Sequence, residues 1–237
     1  MKLKIKYFLP EGLNIIIRRL LSSSYRKRRI DHKYEITNHN RISLILKGIF
    51  LFPLESVKYL EIGCFNDEVF DSVPLLKHQK VGVDPQKGGT LRLTSDAFFK
   101  KNKDIFNVIF IDGLHHYDQV RRDIINSINS INSNGIIFIH DMLPESEISS
   151  KVPRQKFASN WNGDVFRVIF DLLDNDNLVF KIVNIDFGVG MIMLKNNEKI
   201  NLGENDVDYD HFIKNKSKLP IISLTEAFKL LELSVRP

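Results

Sequence analysis

The sequence predicts an α/β protein built on a doubly wound, mostly parallel sheet. Three observations carry this. The run Val108-Ile109-Phe110-Ile111 is apolar throughout and stops at Asp112-Gly113, as a strand buried on both faces does. Tyr117, Val120, Ile124, Ile125, Ile128 and Ile131 then recur at helical spacing. Similar short runs alternate with helical patterns along the chain, as parallel strands joined by crossover helices do.

Taken in order, residues 12–30 combine Leu13, Ile16, Ile17, Leu20 and Leu21 with a basic face and tail, which predicts an amphipathic helix. Such a helix packs on the domain with solvated charges or rests on an anionic membrane surface. Residues 1–40 are therefore read as a basic helical N-terminal arm, whose last ten residues are a polar connection, and 41–237 as the main domain. Ile42, Leu44, Ile45, Ile49 and Phe50 predict a helix closed near Pro53. Strands follow at Val57–Gly63 and Lys80–Pro85, with a helix between them reaching about Leu76. A third, shorter strand is expected at Leu91–Ser95, and Asp96 to Phe99 opens a helix. The central strand and helix come next, then a fifth strand at Ile136–Ile139 after the Asn134-Gly135 turn. Beyond a polar stretch at 145–163, Val165–Leu173 reads as a helix. Val179–Ile185 and Gly188–Leu194 read as an antiparallel hairpin over Asp186-Phe187. The tail 196–220 is charged and loop-like, and Leu224–Leu233 forms a last helix.

Composition narrows the function classes. At 237 residues, 43% hydrophobic, the chain suits one domain with a small appendage. A single cysteine, Cys64, excludes intramolecular disulfides and a CxxC metal framework. No apolar run approaches the roughly 20 residues that span a bilayer. Pro10-Glu11 and Arg18-Arg19 interrupt any secretory signal, so a cytoplasmic location is expected, with peripheral membrane contact through the arm as an option. The net charge of +5 is uneven: residues 1–30 hold nine Lys/Arg against one acid, which leaves the remainder at −3. A mildly acidic body argues against nucleic acid as a partner. The sequence is compatible with a homo-oligomer.

Polar groups end the strands: Glu61, Asp84, Ser95-Asp96, Asp112 and His140-Asp141. With strands about 4.8 Å apart, they form one row along the carboxyl edge of the sheet, where open α/β sheets bind ligands. Any one of them could be a helix cap; five in register point to a site. Gly63 lets backbone approach a ligand, and Asp84 is placed to accept from the hydroxyls of a ribose. The turn Gly63-Cys64-Phe65-Asn66-Asp67 is bulky and acidic where a nicotinamide dinucleotide needs glycines for its pyrophosphate. An adenosyl cofactor carrying positive charge, S-adenosyl-L-methionine (SAM), fits better.

These motifs, YLEIGCFND (59–67), VGVDP (81–85), TSDAFF (94–99), FIDGLHHYDQVRRDI (110–124) and NGIIFIHDMLP (134–144), resemble class I SAM-dependent methyltransferases. More narrowly they are similar to a bacterial group with an IDG-x-H-x-Y element and a terminal HD, associated with surface-polysaccharide and antibiotic-sugar pathways. WNGDVFRVIF (161–170) and DFGVGMIML (186–194) also match, so the resemblance spans about residues 40–235. It implies a Rossmann-like fold with a seven-stranded sheet and a C-terminal antiparallel hairpin. It also implies transfer of a methyl group from SAM to a hydroxyl of a small-molecule or glycan acceptor. The residues expected at the cofactor are Glu61, Gly63, Cys64, Phe65, Asp84, Pro85, Ser95, Asp96, Asp112 and Gly113. The resemblance implies a divalent metal such as Mg²⁺ on Asp112, His140 and Asp141, with His115 as general base beside Asp112. His116, Trp161 and Asp164 are expected toward the acceptor. One departure is Asp67, where the family commonly has glycine; Asn and Asp adopt left-handed backbone more readily than other residues.

Two rival readings stay open. His115 or His116 with His140 and Asp141 could imitate the two-His-one-carboxylate iron site of a hydroxylase. A non-catalytic binding module on the same fold is the other, since fold alone does not give function.

Overall fold

The computed structural model describes residues 30–156, 158–173, 175–196, 198 and 200–234. The amphipathic helix expected at 12–30 falls almost entirely outside these residues.

The described chain folds around one seven-stranded sheet in the order β2-β1-β3-β4-β6-β5-β7. The strands are β1 (Tyr59–Ile62), β2 (Lys80–Val83), β3 (Phe106–Ile111), β4 (Ile131–Ile139), β5 (Leu178–Val183), β6 (Val189–Leu194) and β7 (Ile221–Ile222). β2, β1, β3 and β4 are parallel; β6 runs antiparallel to both β4 and β5. The helices are α1 (Arg41–Ile49), α2 (Glu68–Ser72), α3 (Ser95–Phe99), α4 (Tyr117–Ile128), α5 (Val168–Leu173), α6 (Tyr209–Asn215) and α7 (Leu224–Ser234).

Successive side chains on a strand point to opposite faces, so the unbroken apolar runs supply two cores at once. Leu60, Ile62, Ile109, Ile111, Ile137 and Ile139 pack with Tyr117, Val120 and Ile124 of α4 and Val168 of α5. Tyr59, Val108, Phe110, Ile136 and Phe138 pack instead with Leu44, Ile45 and Ile49 of α1 and Ala227 and Leu231 of α7. The chain before α1 also lies on the body: Asp31 N–H donates to the Glu145 carbonyl and Glu35 N–H to that of Asn184.

Three expectations need correction. Ile131 is not on the helix and Asn134-Gly135 is not a turn before the strand, because β4 already begins at Ile131. Leu91–Ser95 is not a strand: only Leu91 bridges to Val83. The backbone turns at Gly88-Gly89, and both Thr90 and Leu91 donate to the Gly82 carbonyl. Thr94 then caps α3 through its hydroxyl. The seventh strand is β7, beside β5. Nor is 196–220 wholly loop, because it contains α6, capped by Asp208 and held by buried Tyr209 and Phe212.

Candidate active site

Register builds the site. Ile62 lies opposite both Val83 and Ile111, and Ile111 opposite Ile139. The next residues in each strand, Gly63, Asp84, Asp112 and His140, therefore stand in one row. Beyond them lies a cavity of about 820 Å³. The β5–β6 hairpin, in which β6 runs antiparallel to β4, brings its turn to the same edge, where Met142 and Leu143 donate to the carbonyls of Gly188 and Phe187.

Two glycines permit the closest approaches. A Cβ on Gly63, whose φ is +89°, would lie 2.2 Å from the Asp112 carbonyl oxygen. One on Gly163 (φ +62°) would lie 1.8 Å from that of His115, so the 145–163 segment reaches the site only because this residue lacks a side chain. The non-glycine residues with positive φ among those described are Phe65, Asp67, Asp141, Asp186 and Phe187. All of them lie in the strand-end turns at this edge. Backbone held in this region costs of order 1–3 kcal/mol per residue and clusters at functional sites. Asp67 takes the left-handed conformation with φ 62°, and its carboxylate accepts from Gly89 N–H at 2.6 Å, tying the first turn to the loop after β2.

At one end of the cavity, Asp112, His115 and Asp141 each present a ligand atom within 4.8 Å of the others. His115 Nε2 is 3.4 Å from Asp112 Oδ1, and Nδ1 is 3.0 Å from both Asp141 Oδ2 and the Trp161 carbonyl. Burial alone would lower the His115 pKa, but hydrogen bonds to the two carboxylates outweigh it and push the pKa up to about 10. Asp112 and Asp141 are held well below the usual carboxylate range: burial opposes this, and His140 and His115 overcome it. His140 is buried, with Nδ1 3.2 Å from Asp112 Oδ1 and 3.5 Å from Asp141 Oδ2.

Glu61 also lines the cavity; it is 1% exposed and its Oε2 accepts from the Tyr59 hydroxyl at 2.6 Å. Burial raises its pKa to about 8, despite that hydrogen bond. Asp84 also lines the cavity, yet its carboxylate already accepts from the backbone N–H groups of Phe65, Gln86 and Lys87. It shapes two loops as well as facing the ligand space.

Of the residues singled out from sequence, Glu61, Gly63, Cys64, Phe65, Asp84, Pro85, Ser95, Asp112, Gly113, His115, His140, Asp141 and Trp161 line the cavity. Asp96, His116 and Asp164 do not. Asp96 accepts from Gln119 Nε2 and lies 3.5 Å from Arg122 Nε. Asp164 accepts from Tyr117 N–H at 2.7 Å and so caps α4 from a distant segment. His116 packs edge-on against Trp161, whose indole stacks on His115 with centroids 5.2 Å apart.

The structure adds residues that sequence reading passed over. Arg41, at the start of α1, pairs with Asp186 at 2.9 Å and Glu68 at 3.1 Å, and its Nε is 3.9 Å from Asp112. Asn162 donates to Asp141 Oδ1 at 2.6 Å. Asp123 and Gln119 complete the wall near Ser95. The DFG turn at 186–188 and the Trp161-Asn162-Gly163 run stood out in the sequence. Nothing there linked Arg41 to them.

Residues 80–142, from β2 through β4 to the HD pair, match the family model described as a methyltransferase domain. Solved structures share the chain's fold at low identity. A Staphylococcus aureus protein provisionally named a caffeoyl-CoA O-methyltransferase aligns at a TM-score of 0.50 and 13% identity, over 76% of this chain and 91% of its own. A Klebsiella pneumoniae protein provisionally named an O-methyltransferase gives 0.51 and 10%, over 81% and 93%. Cofactor-bound Rv0187 from MTB gives 0.51 and 13%, over 77% and 90%. No curated protein matches the sequence. These solved structures share the α/β sheet fold of the chain. No helix among the described residues is long and apolar enough to cross a membrane.

Proposed function

We propose that the protein is a SAM-dependent O-methyltransferase acting on a sugar hydroxyl of a surface glycan, nucleotide sugar or related metabolite, with a divalent metal ion in the site. The observation that carries this reading is the Asp112–His115–Asp141 cluster, lining one cavity with the Gly63 turn, Glu61 and Asp84. The converging carboxylates of Asp112 and Asp141 fit a divalent cation, with the His115 imidazole beside them. The buried Asn162 Oδ1, which has no hydrogen-bond partner, adds an oxygen acceptor beside Asp141. The sugar acceptor rests on the motif resemblance.

When bound, SAM supplies a methyl group on a positively charged sulfur, and the metal acidifies and orients a hydroxyl held on it. The chain's own residues do the rest. Glu61 would take the ammonium of the amino-acid end, and Asp84 the ribose. The turn at Gly63 would admit the ligand against the backbone of Asp112. Asp112 and Asp141 would hold the cation, and Asn162 fixes Asp141. His115 donates its Nδ1–H to the Trp161 carbonyl, which leaves Nε2 as the basic nitrogen. With Asp112 turned to a cation, Nε2 would be free to take the proton of the acceptor hydroxyl. Trp161, stacked on His115, offers a surface for a sugar ring.

The test is incubation with SAM and Mg²⁺ against a panel of nucleotide sugars, oligosaccharides and catechol, read by mass spectrometry for one added methyl group. Methylation of a sugar, lost in His115→Ala with binding of S-adenosylhomocysteine (SAH) retained, is the expected result. Methylation of catechol alone would overturn the acceptor class, and full turnover by His115→Ala would overturn the base.

A further inference from the structure

Among the described residues that line the cavity, the Lys and Arg side chains are those of Arg41 and Arg154. Arg41 is already engaged by Asp186 and Glu68. Arg154 is exposed, and its guanidinium makes no hydrogen bond or ion pair among the described residues. It stands in a lining rich in acids, Glu61, Asp84, Asp112 and Asp141 among them, and pairs with none of them.

The loop that carries Arg154 is closed on itself. The N–H groups of Asn162 and Gly163 both donate to the Ser149 carbonyl, at 2.9 and 3.1 Å, and the Trp161 indole donates to the Lys151 carbonyl at 2.8 Å. Compact loops whose ends meet in this way are frequently functional. Asn160 Nδ2 ties the loop to Glu145 Oε2 at 3.0 Å, so that acid is taken up elsewhere. Trp161 stacks on His115 and Gly163 lies against the His115 carbonyl, which sets the loop beside the group assigned as the base. Ser159, on the same loop, also lines the cavity, and its hydroxyl has no partner among the described residues.

An unpaired guanidinium at the edge of a cavity is a donor fork without an acceptor. Its geometry matches a phosphate or a carboxylate, to which two parallel N–H bonds can run. The acids lining the cavity repel an anion, so an anionic ligand needs a cation on its way in. A neutral glycan has no such need.

We propose that this loop forms an anion subsite for the acceptor, in which Arg154 and Ser159 donate to a phosphate or carboxylate carried by the sugar that is methylated. The proposal rests on the sugar O-methyltransferase reading above and narrows it: sugar phosphates, nucleotide sugars or uronic acids are accepted in preference to neutral glycans.

Trp161 is the single tryptophan of the chain, so its fluorescence reports occupancy of this loop. The full chain, saturated with SAH and Mg²⁺, is titrated with glucose 1-phosphate, methyl glucuronide and methyl glucoside at low ionic strength. At least one of the two anions is expected to bind about tenfold more tightly than the neutral glycoside, as a charge-assisted hydrogen bond provides. That advantage shrinks as salt is raised. The tighter of the two anions tells phosphate from carboxylate. Arg154→Ala brings charged and neutral sugars to within about twofold of one another. Arg154→Lys restores part of the preference, and SAH affinity checks that each variant is folded. Equal binding of charged and neutral sugars by wild type, no response to any of them, or an unchanged preference in Arg154→Ala would overturn the proposal and leave the SAM reading standing. Failure of wild type to bind SAH would overturn both.

Discussion

Ligand binding by this protein is expected to release a proton from Glu61. The carboxyl is almost fully buried, its one hydrogen bond comes from a neutral hydroxyl, and burial puts its pKa at about 8. At pH 7 about nine in ten molecules therefore carry the proton there, and ionising the group costs about 1 kcal/mol. A charge-assisted hydrogen bond to a ligand ammonium returns about 1.5–3 kcal/mol, enough to drive the ionisation. Binding of SAH at pH 7 should then release up to about 0.9 proton, falling toward zero as pH rises through 8. The assay is calorimetry in Tris and in phosphate, whose ionisation enthalpies differ, with the dependence of observed heat on buffer giving the proton count. Glu61→Gln supplies the baseline, since subtracting it removes any titration of the ligand itself; its SAH affinity should fall about 10- to 100-fold. 5′-Methylthioadenosine, which lacks the amino-acid end, should show no buffer dependence with wild type. Buffer-independent heats for SAH, or a Glu61→Gln variant with unchanged affinity and proton count, would refute the reasoning.

Other outcomes follow from the same geometry. A carboxyl whose folded pKa is raised stabilises the fold fully below its unfolded pKa, near 4.3, and loses that contribution as pH rises toward the folded value. Wild type should therefore lose stability relative to Glu61→Gln between about pH 4 and pH 8, measured by urea melts. Asp141→Asn removes one of the two carboxylates that hold a proton on His115, so the imidazole should titrate clearly below its value of about 10 in an NMR pH series. Mn²⁺ affinity should drop at least about tenfold in the same variant. Gly163→Ala forces a methyl onto the His115 carbonyl, and should lower the thermal midpoint by several degrees while abolishing turnover. Ile124→Ala empties a fully buried position on α4 and should cost about 2–5 kcal/mol by urea denaturation.

Much of the fold was legible because the central strands are buried on both faces and read as unbroken apolar runs. Asp84, Asp112 and His140 were legible as a row because strand ends fall together in a parallel sheet, whereas Glu61 lies two residues short of it, opposite Gly82 and Phe110. The false strand at Leu91–Ser95 shows the limit: Leu91 and Leu93 alternate with polar residues, but Thr94 is needed as a cap and only Leu91 reaches β2. Helix α6 was missed because a charged stretch hides three apolar positions, Tyr209, Phe212 and Ile213, whose spacing is helical. Arg41 and Asp186 meet across 145 residues, a contact made by the antiparallel return of β6 and invisible to local pattern. Asp123 shares the buried face of its helix with Tyr117, Val120 and Ile124, and its contact with Gln119, which also reaches Ser95, depends on packing that local pattern does not show.

The most direct test of the central claim is a calorimetric titration of SAH into the purified full-length protein, with and without Mg²⁺. Saturable one-to-one binding with a micromolar dissociation constant is the predicted result. Absence of binding up to millimolar SAH under both conditions would contradict the assignment of this cavity to an adenosyl methyl donor.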